Sequence, residues 1–240
     1  MAKKLTLKFK NQQFQTDAAR AVTDVFRGQR NQSMVEFTHD MGHTPDGSQD
    51  LFDVVGFRNQ PLTVPAGKIL ENIRQIQMAA QLRPSETIDT SDLRLTIEME
   101  TGTGKTYTYI KTMYELNKLY GWSKFIIVVP SIAIREGVCR SFEIMSEHFA
   151  AEYGKRIQSF VYDSKQLTKI DQFASDSNMH VMIINTQAFA ARGEDARRIP
   201  KVKVETQFSP CVSPHIFEAA GLKRLSVGMG LHKPTAPPHR

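Results

Sequence analysis

Cysteine is nearly absent from this sequence, tryptophan occurs once, no apolar run is long, and nowhere does Asp stand directly before Glu. The two cysteines, Cys139 and Cys211, are far apart and outside any metal-ligand spacing. That excludes a disulfide framework and a cysteine-based metal centre, and leaves two thiols suited to a reducing compartment. No apolar stretch approaches the ~20 residues of a membrane span, and the Lys-rich start lacks the apolar stretch of a signal peptide. A soluble, cytoplasmic protein with no membrane partner is expected.

A 40% hydrophobic content over 240 residues is ample for a core and allows one large domain or two small ones. The net charge of +6 points toward nucleic acid, but its distribution weakens the inference. From Ile199 onward six Lys or Arg face two acids, so the tail carries +4 of that charge.

The most informative stretch is Met99-Glu100-Thr101-Gly102-Thr103-Gly104-Lys105-Thr106, which reads as a phosphate-binding loop. Gly102 and Gly104 allow backbone angles closed to other residues, so that successive N–H groups can turn onto phosphate oxygens. Lys105 offers an ammonium to the β- and γ-phosphates of ATP, and Thr106 a hydroxyl to Mg²⁺. The general pattern wants glycine where Met99 stands, so the bare match is incomplete. Context restores its weight. Leu93, Leu95, Ile97 and Met99 lie at strand spacing before the loop, Ile110, Met113, Leu116 and Tyr120 follow at helical spacing, and Gly121 sits where a C-cap glycine belongs.

Downstream, residues 124–129 read as a buried strand and Ser131 as the N-cap of a helix carrying Ile134, Val138, Phe142, Met145 and Phe149. Residues 157–162 predict a third strand, 165–173 a short helix and 180–184 a fourth strand. Strands alternating with helices imply an α/β fold with a parallel sheet and a nucleotide at the carboxyl ends of the strands. Upstream, residues 14–26 predict a helix with Phe14, Ala18, Ala21 or Val22, and Val25 on one face. The interval 29–92 is less regular, with one helix at about 66–82. Within it His39 and His43 would share a metal only on one helical face; Gly42, Pro45 and Gly47 argue for polar residues in a loop instead. Six of the eleven prolines follow Ile199, and residues 199–240 read as a disordered tail.

Four islands resemble superfamily 2 helicase-like ATPases. The loop island 97–107, with its Met-Glu start, resembles that of the Res (restriction) subunit of type III restriction-modification enzymes. Phe14-Gln15 followed by Ala18 resembles the glutamine motif, Val128-Val129-Pro130-Ser131 resembles motif Ia, and Ile184-Asn185-Thr186-Gln187-Ala188-Phe189 resembles a further Res segment. The similarity covers about residues 5–198. It implies a P-loop (RecA-like) sheet forming an incomplete first motor domain, divided as 1–92 with the glutamine motif and an insertion, 93–198 as the partial ATPase domain, and 199–240 as a disordered or out-of-frame tail.

Carried over, the resemblance makes Gln15 the reader of the adenine edge, with Gly102, Thr103, Gly104, Lys105 and Thr106 holding ATP and Mg²⁺, and Ser131 and Thr186 touching the double-stranded DNA backbone. Gln15 can equally be an exposed helix residue, and Ser131 an N-cap; capping and phosphate contact are compatible. The family implies an ATP-dependent, site-specific deoxyribonuclease working with a modification (methyltransferase) subunit. An Asp-Glu box, a second motor domain and a nuclease domain, which the resemblance also implies, have no counterpart in these residues. A truncated chain, inactive alone, is therefore expected. Two rivals remain: a non-catalytic nucleotide- or DNA-binding remnant, and a P-loop phosphotransferase, although the latter begins near its P-loop strand.

Overall fold

The computed structural model describes residues 9–32, 35–39, 54–90, 93–163 and 166–185. Helix α1 (Gln13–Val25) buries Ala18, Val22 and Val25 of the predicted stripe together with Ala19, while Phe14 is only half-buried. Phe26, just beyond it, is fully buried and meets Trp122 edge-on with ring centroids 5.0 Å apart. Helix α2 (Ala66–Ala79) contributes Ile69 and Ile73. Its buried Asn72 donates to the carbonyl oxygens of Val25 and Arg27, closing the otherwise open C-terminal end of α1.

Helix α3 (Lys105–Tyr120) follows the glycine loop and buries all four apolar positions expected of it. It stops at Gly121, whose φ of 76° is left-handed. A β-carbon there would stand 2.4 Å from the Gln32 carbonyl oxygen, so glycine is required twice over. The chain then turns into strand β3 (Lys124–Val129), helix α4 (Ile132–Tyr153), strand β4 (Gln158–Val161), helix α5 (Leu167–Ser175) and strand β5 (His180–Asn185). The three strands form a parallel sheet in the order β3-β5-β4, with Lys124 opposite His180 and Val129 opposite Asn185. Central β5 is the most deeply covered, with Val181 and Ile183 fully buried.

Three expectations need correction. Leu95 and Ile97 are buried and Leu93 and Met99 partly so, but Arg94 is buried as well, and residues 93–99 form no ladder with another described strand. Alternation reports which side chains are covered; a ladder also needs a partner backbone about 4.8 Å away. Ile134 is half-exposed, because the first turn of α4 carries Ile132 and Ile134 into solvent while Val138, Phe142 and Phe149 lie inward. The interval 29–92 also contains an antiparallel pair, β1 (Val35–His39) and β2 (Val54–Arg58). His39 therefore closes a strand, which rules out a shared helical face with His43, itself outside the described residues. The tail 199–240 lies outside them as well.

One hydrophobic cluster runs from Val22, Val25 and Phe26 of the α1 region through Ile69 and Ile73 to Ile110, Phe125 and Val181. The segment before residue 92 and the segment after it thus fill the same core. Among the described residues no helix is long and apolar enough to cross a membrane.

Candidate nucleotide-binding site

The loop between residue 99 and α3 is shaped by its glycines. Gly102 has φ 81° and Gly104 φ 85°, both left-handed, and Gly104 is the N-cap of α3, its carbonyl accepting from the Thr108 N–H at 3.0 Å. Thr103 folds back on Glu100, its hydroxyl donating to that residue's carbonyl oxygen at 2.6 Å. The loop thus ends at the N-terminus of a 16-residue helix, where unpaired N–H groups and the helix dipole favour an anion. Lys105 is the first helical residue, partly exposed, with no ion pair or hydrogen bond among the described residues. Thr106 follows; its hydroxyl lies beside the Tyr109 phenol, which burial pushes above its ordinary range.

Gln15 is not an exposed helix residue. It is 8% exposed, and its Nε2 donates to the Thr103 carbonyl oxygen at 2.9 Å, joining α1 to the loop across 88 residues of sequence. The fit is close enough that a β-carbon on Gly104 would stand 2.4 Å from that same nitrogen. Sequence reasoning named Gln15 but missed this contact, because nothing in residues 13–25 shows what they pack against.

Ser131 caps α4, its Oγ accepting from the Ile134 N–H at 3.3 Å. It stands at the carboxyl end of β3. Since α3 returns antiparallel to β3 through residues 121–123, that end of the sheet is also where the glycine loop lies. Asn185, the last residue of β5, is opposite Val129, so the two strand ends are adjacent. Thr186 lies outside the described residues. No group of three His, Cys, Asp or Glu that could hold a metal occurs among the described residues.

A parallel sheet with a glycine loop and a helix N-terminus at its carboxyl edge defines a helicase-like P-loop α/β domain. The family model described as type III restriction enzyme, res subunit, matches residues 70–208, more than half of the chain, and the chain belongs to that family. It is 34% identical over 146 residues to the type III restriction-modification enzyme EcoPI Res subunit of Escherichia phage P1, covering 53% of this chain and 15% of that protein. It is 39% identical over 107 residues to the EcoP15I Res subunit of Escherichia coli, covering 38% and 11%, and 50% identical over 60 residues to the StyLTI Res subunit of Salmonella typhimurium, covering 24% and 6%. The family match begins after α1, so the placement of Gln15 at the loop is a finding of the geometry. It also runs ten residues past position 198, where the resemblance was read to stop.

Proposed function

We propose that this chain supplies the ATP- and DNA-binding part of a type III restriction endonuclease subunit, a cytoplasmic DNA motor working with a modification subunit. The observation that carries the reading is the Gln15–Thr103 contact. It places an amide able to donate and accept beside a loop built for phosphates, as a purine triphosphate requires. In this reading the loop from Gly102 to Gly104 wraps the phosphates, the Lys105 ammonium neutralises the β- and γ-phosphates, and Thr106 ligates Mg²⁺. Bound Mg²⁺ would supply charge neutralisation. Ser131, at the carboxyl end of β3, and Thr186, next in sequence after Asn185, contact the DNA backbone without reading bases.

The Asp-Glu pair that holds Mg²⁺ and orients water in such motors is absent from the sequence. Turnover by the 240-residue chain is therefore expected to match its Lys105→Ala variant, with or without duplex DNA. Joining residues 1–198 to a family-like continuation bearing an Asp-Glu box and a second motor domain should give DNA-stimulated ATP hydrolysis that Lys105→Ala abolishes. Hydrolysis by that longer protein that ignores DNA, or turnover with a small phosphate acceptor, would overturn the reading.

A further inference from the structure

We propose that Asn11 and Lys111 form a clamp that positions Gln15, and so set the preference for adenine over other bases. The inference rests on the proposed function. It starts from the entry to α1: the N-cap residue, Gln12, makes no side-chain capping bond, and the local bonds of this turn, Thr16 to the Gln12 carbonyl and Gln13 to Asp17, are joined by bonds from α3. The Asn11 Oδ1 accepts from the Lys111 ammonium at 3.2 Å and from the Tyr107 hydroxyl at 3.3 Å, two side chains one turn apart on α3. Four residues after Asn11, Gln15 donates to Thr103. Residues 11–15 are thus tied at both ends to the glycine loop and the helix that leaves it.

Lys111 has no evident reason to be charged if packing were its task. Its side chain is 3% exposed, and its ammonium is neutralised by Glu152 of α4 at 2.7 Å. A buried ion pair of this kind is costly to desolvate, and an apolar residue of similar volume would fill the space as well. Nor can it serve the phosphates. It lies six residues beyond Lys105, about 9 Å along the axis, on the face turned to α4. Besides pairing with Glu152, the ammonium reaches the segment before α1 and holds the Asn11 acceptor, a bond that a methyl group could not make. Tyr107, the second donor, is braced by His148, whose Nε2 lies 2.9 Å from the phenol oxygen, and by Phe9, which stacks on it at 6.2 Å.

The consequence is selective. Phosphates are held by backbone N–H groups, Lys105 and the helix terminus, none of which needs Asn11. Base recognition depends on where the Gln15 amide sits, and hydrogen bonds weaken steeply with misalignment. Loosening the clamp therefore lowers affinity for ATP and leaves CTP almost unchanged.

The test is equilibrium binding of ATP and CTP, each with Mg²⁺, to the full 240-residue chain and to Gln15→Ala, Asn11→Leu, Asn11→Asp and Lys111→Met. Asn11 is exposed, so Asn11→Leu leaves the core intact even if Lys111→Met destabilises it. Asn11→Leu and Lys111→Met should each lower the ATP-to-CTP preference roughly fivefold, the worth of one ordinary hydrogen bond, as should Gln15→Ala. Asn11→Asp keeps the acceptor oxygen and should keep the preference. A wild-type ratio in Asn11→Leu alongside a reduced ratio in Gln15→Ala overturns the clamp and spares the role of Gln15. Equal loss of ATP and CTP in Asn11→Leu overturns it too. An unchanged ratio in Gln15→Ala, or no ATP binding by the wild type, overturns both the clamp and the reading it rests on.

Discussion

Gly104 carries two demands at one residue. Its φ of 85° costs an L-residue about 1–2 kcal/mol, and its missing β-carbon leaves the space that the Gln15 amide occupies. Gly104→Ala should therefore destabilise the chain in urea by more than the backbone term, because Gln15 must also abandon Thr103. Pairing it with Gln15→Ala removes the collision and leaves only the strain. The loss in the double variant should then be smaller than the sum of the single losses by at least ~0.5 kcal/mol, the size of coupling expected of touching residues. Additive losses would show that the two side chains do not share the site.

Among the elements, α4 depends most visibly on a single cap. Ser131→Ala removes the bond to the Ile134 N–H and should cost about 1 kcal/mol of stability. A midpoint in urea indistinguishable from wild type would remove the N-cap role. That cap was legible in the sequence because a serine stands between an apolar strand and a helical stripe. So were the Gly121 terminus and the parallel order of strands and helices, since each follows from local spacing. That residues 93–99 join no ladder with another described strand was not, as pairing is a property of two segments and periodicity of one. The pairing of β1 with β2 stayed hidden for a related reason, with fourteen residues rich in Gly and Asp between the two strands. In the site, the glycine loop could be read directly from residue types. The burial of Gln15 and the seating of Lys111 against Asn11 and Glu152 arise from helices packing across the fold, which no window of sequence contains.

For the whole molecule, stability should depend on pH through the end of the sheet opposite the glycine loop. His180 of β5 is buried and hydrogen-bonded to Asp176 at 2.7 Å, and the Lys124 ammonium donates to the Asp176 carbonyl oxygen. Burial, with the charge of Lys124 adding to it, holds the imidazole below its ordinary value of 6.5 despite the Asp176 partner. The unfolded chain therefore takes up this proton first as pH falls. The stabilisation is complete above about 6.5 and is lost as pH falls from there through the folded value. The melting temperature should drop between pH 7 and pH 5, and His180→Gln should flatten that drop by about 2–4 °C. Parallel curves for the two proteins would show that another group governs the acid response.

The central claim is that one core, drawn from both sides of residue 92, presents Gln15 and the glycine loop as a single nucleotide site. Equilibrium binding of Mg-ATP to the 240-residue chain and to its Lys105→Ala variant tests it most directly. Binding by the wild type that falls by roughly a hundredfold in the variant is the predicted result, since a hydrogen-bonded charge is lost from the triphosphate. Equal affinity in the two proteins, or no binding by a folded wild-type chain, would contradict it.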